Sequence, residues 1–130
     1  MPVKYTIEEG LLILEMSGMY ETQDVIQTFL AAMKDPACPH EVGFMLDVTQ
    51  SESLAARPAG DIRQTAEFVG PYAQRIRSRV AVVASKDVHF GLSQMGAVYS
   101  RGVGVDAKVF RTREEAADWL REGITATHDR

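Results

Sequence analysis

The residues able to do chemistry in this 130-residue chain collect where apolar runs end. Asp47 closes the run Phe44-Met45-Leu46, and Thr49, Ser51, Ser53 and Arg57 follow it. Ser85, Lys86 and Asp87 come directly after the run 80–84, and Arg111 directly after Val109-Phe110. An acid, hydroxyls and cations are the groups used in acid–base catalysis and in anion binding. Catalysis would require Asp47, Lys86, Asp87 and Arg111 to converge within hydrogen-bonding reach. Their spacing makes no catalytic signature, so none is assigned a catalytic role.

Other spacings point away from metal, thiol and nucleotide chemistry. Phospho-acceptance by Asp47 would need a magnesium site, and a lone carboxylate is a poor one because the ion wants carboxylates and waters in near-octahedral geometry. Cys38 and His40 flank Pro39, an adjacency that does not align a thiolate with an imidazole, so Cys38 reads as an inert loop thiol. His40, His89 and His128 lack the i, i+4 pairing of a zinc site. Gly102-Val103-Gly104 precedes a strand, the reverse of a dinucleotide loop, and reads as a helix stop. The reading carries no metal and no cofactor.

The elements that position these groups belong to one small soluble domain. Eighteen acids against fourteen Lys and Arg give a net charge of -4, the wrong sign for general capture of nucleic acid or anionic lipid. A single cysteine rules out an intramolecular disulfide and suits a reducing compartment, so a cytoplasmic location is expected. No window approaches 18 apolar residues, which argues against an integral membrane segment.

Residues 3–7 alternate, Glu8-Glu9-Gly10 supplies a turn, and 11–16 is apolar, which together predict a β-hairpin. Val25, Ile26, Phe29, Leu30 and Met33 share a helix face, with Thr22 as the cap and Asp35-Pro36 as the stop. Residues 42–48 predict a strand covered on both faces, and 49–59 a loop, the longest in the chain. Ile62, Ala66, Val69, Tyr72, Ala73 and Ile76 then recur at helical spacing, with a break at Gly70-Pro71. After a strand at 80–84, a helix beginning at Ser85 or Asp87 carries Val88, Leu92, Met95 and Val98 or Tyr99 as its apolar positions. Gly91 and Gly96 would let that helix pack closely, and Gly102 would end it. A strand at 105–110 leads to a capping box, Thr112 with Glu115, and to a helix with Ala116, Trp119 and Leu120 inward and Gly123 at its end. The fold class is therefore α/β: a hairpin followed by αβαβαβα, a five-stranded mixed sheet with helices packed on it. One domain spans 1–124, with 125–130 as a flexible tail.

This order resembles the STAS domain and its SpoIIAA-like superfamily. The residues that carry the resemblance are Leu11-Leu12-Ile13-Leu14, Phe44-Met45-Leu46-Asp47, Val80-Ala81-Val82-Val83 with Ser85-Lys86-Asp87, and Val109-Phe110-Arg111-Thr112 leading into Glu114, Glu115, Ala116, Trp119 and Leu120. The last segment is similar to the ending of small bacterial SpoIIAA-like proteins. In the anti-sigma-factor antagonists of this group a phosphorylatable serine in an Asp-Ser-Ser-Gly-like turn begins the next helix. Here Val48-Thr49-Gln50-Ser51-Glu52-Ser53 follows Asp47, so that switch is carried over to no residue.

The resemblance implies a non-catalytic regulatory or protein-binding module whose partner is another protein or a second copy in a homodimer. Contact is expected through the loop after Asp47 and the helix 60–70. Ligands of parallel sheets gather beyond the carboxyl ends of the strands. The candidate binding residues are accordingly Asp47, Thr49, Ser51, Ser53, Arg57, Ser85, Lys86, Asp87 and Arg111. The superfamily also shares its fold with CRAL-TRIO (Sec14-like) lipid-binding domains, which makes a small anionic or hydrophobic ligand the alternative. Met19, Leu54, Phe68, Tyr72 and Phe90 would line its pocket. Arg75, Arg77 and Arg79, with Arg57 and Arg63, read as a solvated basic end.

Overall fold

The structure is a computed structural model. It describes residues 2–52 and 59–128, and side chains at all of these except 59–62 and 123–128. The chain runs β1 (Val3–Glu8), β2 (Leu11–Gly18), α1 (Thr22–Lys34), β3 (Gly43–Ser51), α2 (Ala59–Glu67), β4 (Arg79–Val83), α3 (Asp87–Arg101), β5 (Asp106–Phe110) and α4 (Arg113–His128). A 3-10 turn at Gly70–Tyr72 breaks the helical pattern where Gly70-Pro71 predicts it.

β1 and β2 form the expected antiparallel hairpin, its two turn residues Glu9 and Gly10 both at positive φ, as a tight hairpin turn requires. The other pairings are parallel, and the strands lie in the sheet in the order β1-β2-β3-β4-β5. Three successive right-handed crossovers stepping in one direction must leave their helices on the same face of the sheet. Strand alternation records the result. Leu12, Leu14, Met16, Phe44, Val80 and Val109 point into the larger core with Val25, Phe29 and Ala97 of the crossover helices. Leu11, Ile13, Met45, Ala81 and Val83 point the other way, onto Ala116 and Leu120 of α4. At the start of β3 the backbone comes so close to this smaller core that a Cβ on Gly43 would lie 2.7 Å from Leu11.

Several sequence expectations are corrected. Thr22 is the buried first residue of α1, and the cap is Glu21, whose backbone N–H donates to Asp24 at 2.9 Å. β3 continues through Thr49, Gln50 and Ser51, residues assigned above to a loop, because of an irregularity in its pairing with β2. Glu15 pairs with Asp47 but Ser17 with Gln50, so β3 carries one extra residue there. Such a bulge breaks the period-2 pattern by which a strand is recognised. α4 runs on past Gly123 to His128.

The largest correction concerns α3. Its buried residues are His89, Ser93, Ala97 and Ser100, whereas Val88 and Val98 are 55% and 60% exposed. Small and polar side chains fit where the helix lies close to β5 and α2; of the expected apolar positions Leu92 packs against the larger core, while Val88 and Val98 stay outside. Gly91 is open rather than closely packed: a Cβ there would meet nothing within 4 Å.

Candidate functional site

The carboxyl ends of β4 and β5 lie level with Asp47, so Asp47, Ser85, Lys86, Asp87 and Arg111 are brought toward one end of the sheet. Register places Asp47 beside Glu15 on one side and Val83 on the other, with Phe110 next to Val83. Asp47 and Glu15 are the last members of two rows, Leu11-Ile13-Glu15 and Met45-Asp47, that otherwise feed the core beneath α4. Like charges directly across two strands repel. Arg113, in the first turn of α4, resolves this by bridging them: its Nε donates to Asp47 Oδ2 at 2.6 Å, and its Nη2 lies 3.3 Å from Glu15 Oε1. Thr49 occupies the other oxygen, its Oγ1 donating to Asp47 Oδ1 at 2.6 Å and its backbone N–H at 2.9 Å.

Asp47 is only 7% exposed. Burial alone would raise its carboxyl, but the hydrogen bonds from Thr49 and the Arg113 guanidinium outweigh it and hold the group below the usual carboxylate range.

A second cluster forms where β4 and β5 end. Arg111 donates from Nη1 to the Ser85 carbonyl at 2.9 Å, its Nη2 lies 3.0 Å from Asp87 Oδ1, and its guanidinium covers the Phe90 ring at 4.1 Å. Lys86 is the exposed N-cap of α3, and no side chain closes that cap, so neither Ser85 nor Asp87 serves as one. Thr112 does cap α4, accepting from the Glu115 N–H at 3.2 Å. The strand-end groups thus close in two separate sets, Asp47 with Arg113 and Asp87 with Arg111. Asp47, Lys86, Asp87 and Arg111 do not converge on one point.

Ser51 is 1% exposed and donates to the Tyr20 hydroxyl at 3.1 Å, because the bulge turns it toward the larger core. Ser53, Leu54 and Arg57 lie outside the described residues. Arg113 and Glu15 were missed in the sequence. The available signal was the acid that ends each of two alternating apolar rows.

Among the described residues, the arginines of the predicted basic end are engaged within the chain, Arg77 lying 3.9 Å from Glu41. Arg75 donates to the carbonyls of His40 at 2.8 Å, Met33 at 3.1 Å and Pro39 at 3.1 Å. Arg79 donates to the Trp119 carbonyl at 2.9 Å and stacks on its ring, and Arg63 pairs with Glu67. Cys38 is half-buried in the loop that Arg75 holds, and burial pushes its thiol up, away from a reactive thiolate.

Between the sheet and helices α2 and α3 lies an apolar cavity of about 70 Å³, bordered by Met16, Leu46, Val69, Val82, Leu92 and Ala97 among others. The predicted liners are elsewhere. Met19 is 65% exposed, Phe68 and Tyr72 pack edge-on against Phe29, and Phe90 lies under Arg111. On the buried face of α3, His89 is 4% exposed with no hydrogen-bond partner for Nδ1 among the described residues. Burial, helped by Lys86, pushes its pKa down.

The model of the SpoIIAA-like family matches residues 11–121. The chain belongs to that family. Among solved structures, an uncharacterised protein from Shewanella loihica PV-4 with a SpoIIAA-like fold is similar to it. That likeness has 18% identity and a TM-score of 0.57 and covers 91% of each chain, so it speaks to fold. Comparison with curated proteins finds no match. In this SpoIIAA-like chain β3 continues for four residues beyond Asp47. No helix among the described residues is long and apolar enough to cross a membrane.

Proposed function

We propose that the chain is a non-catalytic regulatory module that binds a partner protein through the carboxyl ends of its parallel strands. The observation that carries this reading is the closure of the Asp47–Arg113–Glu15 set. Its acids are neutralised and its guanidinium is committed, so it shapes a fixed polar surface instead of presenting a base or nucleophile. Beyond it, where β3 and β4 end, Gln50, Glu52, Ser85 and Lys86 are exposed. A photo-crosslinking amino acid at Glu52, compared with one at Gln74 near the opposite end of the sheet, tests the surface. The expected result is a defined protein adduct from Glu52 that excess unmodified chain competes away. An equal yield from Gln74, or no adduct, overturns it.

The apolar cavity favours a second reading, a site for a small hydrophobic ligand. Its volume of about 70 Å³ is under half of the roughly 150 Å³ that holds benzene, so it suits a small apolar group and not a lipid tail. Native mass spectrometry of the purified chain, with melting scans against benzene and short-chain fatty acids, tests it. Absence of both added mass and thermal shift overturns it.

A further inference from the structure

Helix α3 packs Phe90 and Leu92 against the larger core yet also carries an apolar outer face, which is unusual for a helix on a sheet. His89, Ser93, Ala97 and Ser100 face inward. At about 100° per residue, Val88, Gly91, Met95, Val98 and Gly102 form a stripe about 80° wide on the opposite side. Val88, Gly91, Val98 and Gly102 are exposed and Met95 is half-buried. A single exposed valine is ordinary, but these positions alternate in steps of three and four, the spacing of a helix–helix seam.

We propose that this stripe is a homodimer interface, with α3 packing antiparallel against α3 of a second copy about a two-fold axis near Met95. The inference goes beyond the partner surface proposed above, because it uses the outer face of α3 and not the strand ends. Self-complementarity carries it. Rotation about Met95 sets Val88 against Gly102 of the second copy and brings Gly91 to within one residue of the level of Val98, so each valine meets a glycine while Met95 meets its own counterpart on the axis.

Charge selects the same arrangement. Asp87 begins the helix and Arg101 ends it, both beside the stripe. Antiparallel packing brings Asp87 toward the second copy's Arg101, whereas parallel packing would oppose like charges. Nη2 of Arg101 donates to its own chain's Ala107 carbonyl at 3.1 Å and Nε lies 3.9 Å from its own Asp106, with Nη1 left for Asp87. The Asp87 side chain is 96% exposed, and Arg111 lies against Oδ1, so it can take another donor. A membrane surface suits the stripe less well, since one border is Asp87, Gln94 and Arg101 and the other the half-buried Leu92 and Tyr99, with no basic row on either side. One helix of this length makes a small interface, at the weak end of specific association.

Sedimentation velocity on the purified chain, from micromolar to millimolar concentration, tests the proposal. We expect a reversible monomer–dimer equilibrium. Val98→Glu should weaken it at least about tenfold, since it charges the centre of the seam. Gly91→Leu should weaken it similarly while leaving the melting temperature unchanged or higher, because the monomer has space there and leucine favours a helix. Asp87→Arg should weaken it, and Asp87→Arg combined with Arg101→Asp should restore it. A monomer at every concentration, or a dimer indifferent to Gly91→Leu and Val98→Glu, overturns the inference. Neither result depends on a heterologous partner, so the Glu52 crosslink can succeed or fail separately.

Discussion

Asp47 and Arg113, 66 residues apart in sequence, meet at 2.6 Å where the middle of β3 faces the first turn of α4. The contact ties the last helix to the centre of the sheet, at the one level where two acids on adjacent strands would otherwise repel. It gives the sheet edge its shape, and it uses groups that would be needed free for chemistry.

Replacing Asp47 with Asn keeps the shape and removes the charge, and should cost about 1–3 kcal/mol in chemical denaturation. The sign with pH follows from the depressed carboxyl pKa. The stabilisation is present above the unfolded value near 3.9 and is lost as pH falls through that value toward the lower folded one. Asp47→Asn should therefore flatten the acid limb of the stability curve. Arg113→Lys should recover only part of the loss caused by Arg113→Ala, because one ammonium cannot replace the Nε and Nη2 contacts to two acids.

His89 predicts a second, milder pH dependence. A buried imidazole with a lowered pKa resists protonation in the folded state, so the unfolded chain binds more protons once pH drops below about 6.5. Stability should fall between that value and the lower folded pKa. His89→Leu should remove this part of the slope in melting scans from pH 7 to 5, and an unchanged slope would assign it to other groups.

Ser51 distinguishes a buried structural hydroxyl from a modifiable one. With 1% of its surface exposed, Ser51→Asp would force a charge into the core and should cost about 3 kcal/mol or more, while Ser51→Ala should cost about 1 kcal/mol. A kinase should leave this residue unmodified in the folded protein and reach it only under denaturing conditions. Phosphopeptide mapping of both states decides the point.

The strand and helix order was readable because the elements obey simple periods, as in Leu11-Leu12-Ile13-Leu14 and in Val25, Phe29 and Met33. Three things were not, each for a physical reason. The bulge beside Asp47 broke the alternation that would have extended β3 to Ser51. In α3 the apolar period was split, with Leu92 against the core but Val88 and Val98 on the outer face, since local sequence does not say which side of a helix meets the sheet. Arg113 looked like an ordinary first-turn residue, because its partners Glu15 and Asp47 are joined to it only by the return of α4 across the sheet.

Arg75 provides the last prediction, and it separates two roles for a basic residue. Its guanidinium donates to three carbonyls at Met33, Pro39 and His40, and its own carbonyl accepts the Val42 N–H at 2.8 Å. It thus clamps the connection between α1 and β3 from a loop some 35 residues away. Removing it leaves three carbonyls to find other donors, two of them at exposed positions where water can serve. Arg75→Ala should therefore cost about 2 kcal/mol, less than three fully buried bonds would. Hydrogen exchange should rise selectively in residues 36–41, and Arg75→Lys should restore little, because an ammonium cannot reproduce the planar fork. The neighbouring Gln74→Ala should fall within about 0.5 kcal/mol of wild type. If Arg75 instead served an anionic partner, Arg75→Ala would reduce binding with stability and exchange unchanged, and the clamp would have to be abandoned.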